Sequence, residues 1–196
     1  MYRILRFTLK PFYRLIYMPK YEGCKNIPAK GAFVFAGNHT SFMDAATIVS
    51  TPKRIIHTLS KKELFKGKIR NAFFRSMACI PVDRKTHDEN AKKEVIDMLN
   101  EGHAVGIFPE GTINRTIGTS NEVSLLPFKK GAVTFANKAN VPIIPFAIIG
   151  KYRPFRKGLK VKYGKPYYVK SNDYEKEIEI LRNKILSLKN GDNKND

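Results

Sequence analysis

Short apolar runs alternate with helical patterns along most of the chain. Strands are predicted for residues 32–36, 54–59, 79–82, 104–108, 141–149, 159–163 and 167–169. Helices are predicted for residues 41–49, 61–77, 88–101, 129–138 and 174–188. Asp88 is expected to cap the third of these helices, and Gly102 is expected to end it. This alternation predicts an α/β fold in which helices flank a mixed, mostly parallel sheet.

The first 18 residues show a different pattern, a basic stripe on an otherwise apolar helix. The basic side chains recur every three or four positions, within about 80° of the helix surface. They are Arg3, Arg6, Lys10 and Arg14. Pro11 is expected to kink this helix or to start a second one, because proline lacks a backbone donor. Such an amphipathic helix is typical of segments that lie in the lipid headgroup plane, although packing on the domain would give the same pattern.

These patterns divide the chain into three parts. Residues 1–25 form a membrane-surface helical segment, residues 26–190 form the main domain, and residues 191–196 form a flexible tail. The longest uncharged apolar stretch, near residues 141–150, is shorter than the ~18 residues of a membrane-spanning helix. With two cysteines and no signal-peptide pattern, we expect a reduced protein at the cytoplasmic face of the cell membrane, attached peripherally.

The charge strengthens the expectation of an anionic partner. The chain has 36 Lys and Arg against 17 Asp and Glu, a formal net charge of +19. The excess lies in residues 1–30, 51–75 and 151–170. Nucleic acid, a phospholipid surface and a phosphorylated substrate would all suit this distribution. Nucleic acid is not expected, because no binding motif is present and the N-terminal aromatic residues lie opposite the charges rather than among them.

His39 and Asp44 are the first candidates for chemistry. On one regular helix their five-residue separation would turn the side chains about 140° apart. They can meet only if His39 lies in a turn before the helix, and the preceding strand is predicted to end near Gly37. A carboxylate on one imidazole nitrogen would leave the other nitrogen free as a base. Alternatively, Asp44 serves only as the acidic third residue of a helix capped by Ser41.

Two more candidate groups follow predicted strands. Glu110, Gly111 and Arg115 follow one strand, and Arg84, next to Asp83, follows another. Ligand sites in open α/β sheets lie beyond the carboxyl ends of strands, so these groups are expected to converge with His39. The arginines could hold an anion, while surface turns with incidental charges remain the alternative.

Four blocks carry a resemblance to a known family. They are His39-x4-Asp44, Asp83-Arg84, the segment Phe-Pro-Glu-Gly-Thr at residues 108–112 and Val-Pro-Ile-Ile-Pro at residues 141–145. In this order and spacing they resemble the glycerolipid acyltransferases, in particular the 1-acylglycerol-3-phosphate (lysophosphatidic acid) branch, over residues 30–150. The chain departs from the family pattern at Ala78, where glycine is usual, and at Ile113, where arginine is frequent.

The resemblance implies a function. A fatty acyl group would pass from a thioester of acyl-carrier protein or coenzyme A to the 2-hydroxyl of lysophosphatidic acid, which gives phosphatidic acid. His39 would be the general base, oriented by Asp44. The acceptor and its phosphate would contact Lys61, Arg84, Glu110, Gly111, Thr112 and Arg115. No metal and no cofactor is expected apart from the thioester co-substrate, since the four histidines lack metal-ligand spacing.

Two alternatives stay open at this stage. A related acyltransferase could use another lysophospholipid or an amino-lipid acceptor, because Ile113 removes one expected phosphate contact. The basic stretches alone would also suit a non-catalytic protein that binds membranes or nucleic acid.

Overall fold

The computed structural model describes residues 2–50, 54–83, 86, 88–115 and 125–191. These described residues contain a seven-stranded sheet with the order β1-β7-β6-β2-β5-β3-β4. The strands are β1 (Lys20–Glu22), β2 (Phe33–Gly37), β3 (Ile56–Lys61), β4 (Cys79–Val82), β5 (Ala104–Ile107), β6 (Ile143–Ile149) and β7 (Lys160–Tyr163). Within that sheet β7 runs antiparallel to β6, and the other neighbouring strands are parallel. The predicted mixed, mostly parallel sheet is confirmed.

Helices cover both faces of the sheet. They are α1 (Tyr2–Tyr17), α2 (Asp44–Val49), α3 (Lys68–Ser76), α4 (Glu89–Asn100), α5 (Gly131–Lys138) and α6 (Tyr174–Asn190). A short 3-10 turn, Lys62–Phe65, connects β3 to α3. The predicted cap of α4 is present, because the Asp88 carboxylate accepts a hydrogen bond from the backbone N–H of Ala91.

Side chains of β2 show how the sheet separates two hydrophobic cores. Val34 and Ala36 are fully buried in the core that contains residues from α4, α5 and α6. Phe33 and Phe35 are buried in the opposite core, with Ile48 of α2 and, at its edge, Tyr17 of α1. Successive residues of a strand point to opposite faces, so a continuous apolar run is what a strand covered on both faces requires.

Two observations on the N-terminal part bear on its predictions. α1 continues through Pro11, so a second helix does not start there. β1 lies inside the predicted surface segment 1–25, yet it pairs with β7 and forms an edge of the sheet, so the sheet begins at Lys20. Among the described residues, no helix has both the length and the hydropathy needed to cross a bilayer.

The predicted strand at residues 167–169 is reduced to a single bridge, in which Tyr167 pairs with Ile143. The predicted tail, residues 191–196, lies almost entirely outside the described part of the chain.

Candidate active site

The His39–Asp44 contact predicted from the sequence is present. β2 ends at Gly37 and α2 begins at Asp44, which places His39 in the turn between them. Imidazole Nδ1 lies 2.9 Å from Asp44 Oδ2, and the Asp44 carboxylate is fully buried. A carboxylate can only accept hydrogen bonds, so Nδ1 carries the proton and Nε2 is the basic nitrogen of the neutral ring.

The turn folds around Asp44 in a way that differs from the predicted cap. Helix α2 begins at Asp44 rather than at Ser41. The backbone N–H groups of Thr40 and Ser41 donate to Asp44 Oδ2 at 2.5 and 2.8 Å, and the Thr40 hydroxyl donates to Oδ1 at 3.1 Å. The carboxylate therefore holds both the turn and the imidazole.

His39 is also fixed from the loop that follows β5. Its ring stacks on Phe108, with centroids 4.1 Å apart and planes 15° from parallel. The His39 N–H donates to Glu110 Oε1 at 2.8 Å, and the His39 carbonyl accepts from the Asn114 N–H at 2.7 Å. The two predicted groups, one after β2 and one after β5, therefore form a single unit.

Glu110 occupies a structural position in this unit. Its side chain is buried, and its second oxygen, Oε2, accepts from the backbone N–H of Leu126 at 2.9 Å. Glu110 thus joins three stretches of backbone through one carboxylate. Its predicted contact with an acceptor stays a prediction.

A cavity of about 620 Å³ opens beside His39. Arg115 lines it, as the strand-end argument predicts, together with Lys61 and Thr112, which the family resemblance implies. Its apolar lining includes Phe42, Leu59, Leu64, Phe108, Ile113 and Leu126. The cavity therefore combines one imidazole, two cationic side chains and apolar walls.

Gly111 and Arg84 are the remaining predicted site residues. Gly111 has a φ of 68°, and a side chain there would come within about 3.0 Å of the Lys129 side chain, so the turn requires glycine. Arg84 falls outside the described residues. Its neighbour Asp83 lines a separate cavity of about 470 Å³ together with Lys62, Phe65 and Lys66.

Comparison with known proteins identifies the family. The family model described as "Acyltransferase" matches residues 19–149. The chain belongs to the acyltransferase family. This membership favours the enzymatic interpretation of the basic stretches over the non-catalytic one.

The acyltransferase is similar to curated proteins along most of its length. It is 35% identical over 173 residues to the 1-acyl-sn-glycerol-3-phosphate acyltransferase of Bacillus subtilis, covering 86% of this chain and 83% of that protein. It is 32% identical over 177 residues to the protein of the same name from Borreliella burgdorferi, covering 84% and 68%. The crystal structure of the 1-acyl-sn-glycerophosphate acyltransferase PlsC from Thermotoga maritima shares its fold, with a TM-score of 0.74. That match covers 98% of this chain and 81% of the other at 23% identity.

Two further residues hold this candidate site, and neither was singled out from the sequence. Tyr152, in the segment after β6, donates to Asp44 Oδ1 at 2.6 Å. Asn38 is fully buried and exchanges two hydrogen bonds with the backbone of Ile148, which fixes the end of β2 against β6. Asn38 has a sequence signal, since it is an uncharged polar residue at the end of an apolar strand. Tyr152 lies 108 positions from Asp44 and has no comparable signal.

Proposed function

We propose that this acyltransferase transfers a fatty acyl group from a thioester to the 2-hydroxyl of 1-acylglycerol-3-phosphate, giving phosphatidic acid. The donor is a thioester of acyl-carrier protein or coenzyme A. The names of the Bacillus subtilis and Borreliella burgdorferi relatives support this acceptor. The observation that carries the proposal is the 2.9 Å contact of His39 Nδ1 with buried Asp44, at the wall of a cavity with two cations.

His39 acts as the general base in this mechanism. An alcohol is a poor nucleophile near neutral pH, so Nε2 takes the hydroxyl proton as the oxygen attacks the thioester carbon. The buried Asp44 carboxylate stabilises the imidazolium that forms and keeps the ring in one orientation. The carbon–sulfur bond of the tetrahedral intermediate then breaks, and the imidazolium returns the proton to the leaving thiolate. The transfer is direct, because the thioester is already activated.

Lys61 and Arg115 bind the phosphate monoester of the acceptor. Both line the cavity that contains His39, and a phosphate charge near −2 is well matched by two cations. Arg84, Glu110, Gly111 and Thr112 complete the acceptor site on the strength of the family resemblance. The apolar walls beside Leu59, Leu64 and Leu126 accommodate acyl chains.

The decisive experiment combines purified protein, lysophosphatidic acid and a labelled acyl thioester, offered in parallel as acyl-carrier protein and coenzyme A derivatives. We expect labelled phosphatidic acid from the wild type and a loss of about 10²-fold or more with His39→Ala. His103→Ala is the matched control, since His103 is an exposed histidine just before β5 and outside the cavity. Turnover by His39→Ala at the wild-type rate would refute the mechanism.

We also propose that α1 attaches the enzyme to an anionic membrane, at the cytoplasmic face of the cell membrane. On α1, Phe7, Phe12 and Leu15 are 84, 64 and 66% exposed, respectively. Exposed aromatic and aliphatic side chains on a basic helix suit the headgroup region, where each cation adds about 1 kcal/mol. The acceptor itself partitions into bilayers, so attachment brings the enzyme to its substrate.

Vesicle sedimentation tests this attachment. Replacing Phe7 and Phe12 by serine is cleaner than deleting residues 1–25, because the deletion would also remove buried Tyr13 and all of β1. We expect the double variant to sediment with anionic vesicles at least about 10-fold less and to retain its melting temperature. Unchanged sedimentation would contradict the proposed attachment.

A second acceptor class is favoured by one observation. Ile113 lines the cavity at the position where the family often has arginine, so this wall is apolar rather than cationic. A lysophospholipid without a phosphate monoester, or an amino-lipid, would suit such a wall. Competition between these acceptors and lysophosphatidic acid distinguishes the two classes, and the preferred acceptor is the one with the larger kcat/KM.

A further inference from the structure

Asp44 has a second set of contacts on the oxygen that does not face His39. The Tyr152 hydroxyl donates to Asp44 Oδ1 at 2.6 Å and lies 2.7 Å from the Thr47 hydroxyl. The Thr47 hydroxyl in turn lies 2.5 Å from the Tyr13 hydroxyl of α1. Three hydroxyl groups from three separate elements thus form a continuous series that ends at the carboxylate.

The carboxylate fixes the direction of these hydrogen bonds. Asp44 can only accept, so the single proton of Tyr152 goes to Oδ1. Tyr152 can then only accept at its contact with Thr47. The Thr47 hydroxyl also donates to the Met43 carbonyl at 3.0 Å, so its single proton is shared between that carbonyl and Tyr152. Tyr13 is the donor to Thr47 when the Thr47 proton is directed to either of these acceptors.

The surroundings keep this series intact. Asp44 and Thr47 are fully buried, and Tyr13 is 8% exposed. Burial raises the pKa of both Tyr13 and Tyr152 far above the ordinary tyrosine value, so both phenols stay protonated. Tyr17 of α1 packs edge-on against the Tyr152 ring, with centroids 5.6 Å apart.

We propose that Tyr152 is a positioning residue for the His39–Asp44 pair, and that Tyr13, Thr47 and Tyr152 connect helix α1 to the catalytic carboxylate. This inference rests on the proposed function. Together with the longer bond from the Thr40 hydroxyl, the Tyr152 bond to Oδ1 keeps the carboxylate rotated so that Oδ2 meets the imidazole, and it disperses part of the carboxylate charge. The buried side of α1 therefore supports catalysis, while its exposed side carries the proposed membrane contact.

The titratable groups that face this pair define what a substitution should change. They are Tyr13 from α1, Tyr152 from the segment after β6, Glu110 from the loop after β5, and the cavity cations Lys61 of β3 and Arg115 of that same loop. Tyr152→Phe removes one donor from Asp44 and leaves Tyr13, Glu110 and the ring packing in place. The carboxylate then keeps more of its negative charge, so it stabilises the imidazolium more strongly.

The test uses the full-length protein and reads the titration of the His39 ring by NMR, assigned by comparison with His39→Ala. We expect Tyr152→Phe to shift this titration to higher pH. In steady-state assays the same variant should lower kcat about 10-fold with little change in KM, and the acid limb of the kcat/KM profile should move to higher pH.

Matched variants separate positioning from general packing. Tyr167→Phe removes a buried hydroxyl that has no hydrogen-bond partner among the described residues, so its titration and kinetics should stay at wild-type values. Thr47→Val and Tyr13→Phe should shift the titration in the same direction as Tyr152→Phe, but by less. Thr47→Ser keeps the hydroxyl and should therefore titrate like the wild type.

The NMR result does not depend on which acceptor the enzyme uses. An unchanged His39 titration in Tyr152→Phe would overturn the inference even if lysophosphatidic acid is the substrate. A shifted titration without turnover of lysophosphatidic acid would uphold the positioning role and count against the proposed acceptor alone.

Discussion

The two sides of the cavity are constructed differently. On one side, His39 and Asp44 are held by short hydrogen bonds from several elements, and Asp44 is fully buried. On the other side, Lys61 at the end of β3 and Arg115 in the loop after β5 are long, exposed side chains. Proton transfer needs closely fixed atoms, whereas a phosphate can be held by cations that adjust to it. With the roles proposed for these residues, we expect chemistry and acceptor binding to be separable by mutation.

The largest effect is expected for Asp44→Asn on the fixed side. The amide keeps the size of the carboxylate but carries no charge to stabilise an imidazolium. Its NH₂ group would also face hydrogen-bond donors that contact a carboxylate oxygen in the wild type. We expect kcat to fall by about 10³–10⁴-fold with little change in KM for either substrate, measured by steady-state kinetics. A rise in KM at constant kcat would remove the distinction between the two sides.

A smaller effect of a different kind is expected on the cationic side. Lys61→Met and Arg115→Met each remove one charge and preserve most of the apolar stem. We expect KM for lysophosphatidic acid to rise by about 10-fold or more, with kcat largely unchanged, because a charge-assisted hydrogen bond contributes roughly 1.5–3 kcal/mol. An acceptor without the phosphate monoester is the control, and equal losses with that acceptor would contradict the assignment.

Glu110→Gln tests the residue that joins the two sides. A glutamine can accept from only one of the backbone N–H groups of His39 and Leu126 and turns its NH₂ toward the other. We expect the free energy of unfolding to fall by about 1–3 kcal/mol in urea titrations. Undiminished stability together with a raised KM would instead favour direct contact of Glu110 with the acceptor.

The smallest effect is expected for Asp88→Asn, the matched control for Asp44→Asn. Asp88 also accepts backbone N–H bonds at a helix start, from Asp83 and Ala91, but it lies outside the catalytic cavity. These bonds lower the pKa of Asp88 below its ordinary value of 3.8. Its stabilising contribution is therefore present above that pH and is lost as the pH falls through the lower folded value.

We expect Asp88→Asn to keep the wild-type kcat and to lower the free energy of unfolding at pH 7 by about 0.3–1 kcal/mol, as measured by thermal unfolding. The difference from the wild type should shrink as the pH falls below about 4. A loss of kcat comparable to that of Asp44→Asn would mean that any carboxylate at a helix start has this effect.

Local patterns predict one part of the site well. A strand that ends near Gly37 followed by a helix brings His39 to Asp44. The rule that strand ends converge accounts for Arg115 at the cavity beside His39, but not for Asp83, which lines a separate cavity.

The residues that escape prediction owe their place to tertiary packing. Tyr152 lies in a basic stretch without a motif, and only the packing of α1 and α2 brings it to Asp44. β1 has the polar sequence Lys-Tyr-Glu, so its pairing with β7 makes it a strand. Helix α1 can continue through Pro11 because Pro11 and Phe7 are both exposed, so water can satisfy the carbonyl that proline leaves unpaired.

The double attachment of the His39 backbone has a consequence for engineering. Its N–H is bound by the Glu110 side chain, and its carbonyl is bound by the Asn114 N–H. A chimaera that imports residues 108–115 from a homologous enzyme keeps both attachments if it retains the glutamate at 110 and a backbone N–H at 114. Because Glu110 also accepts from Leu126, that position belongs to the same exchange unit.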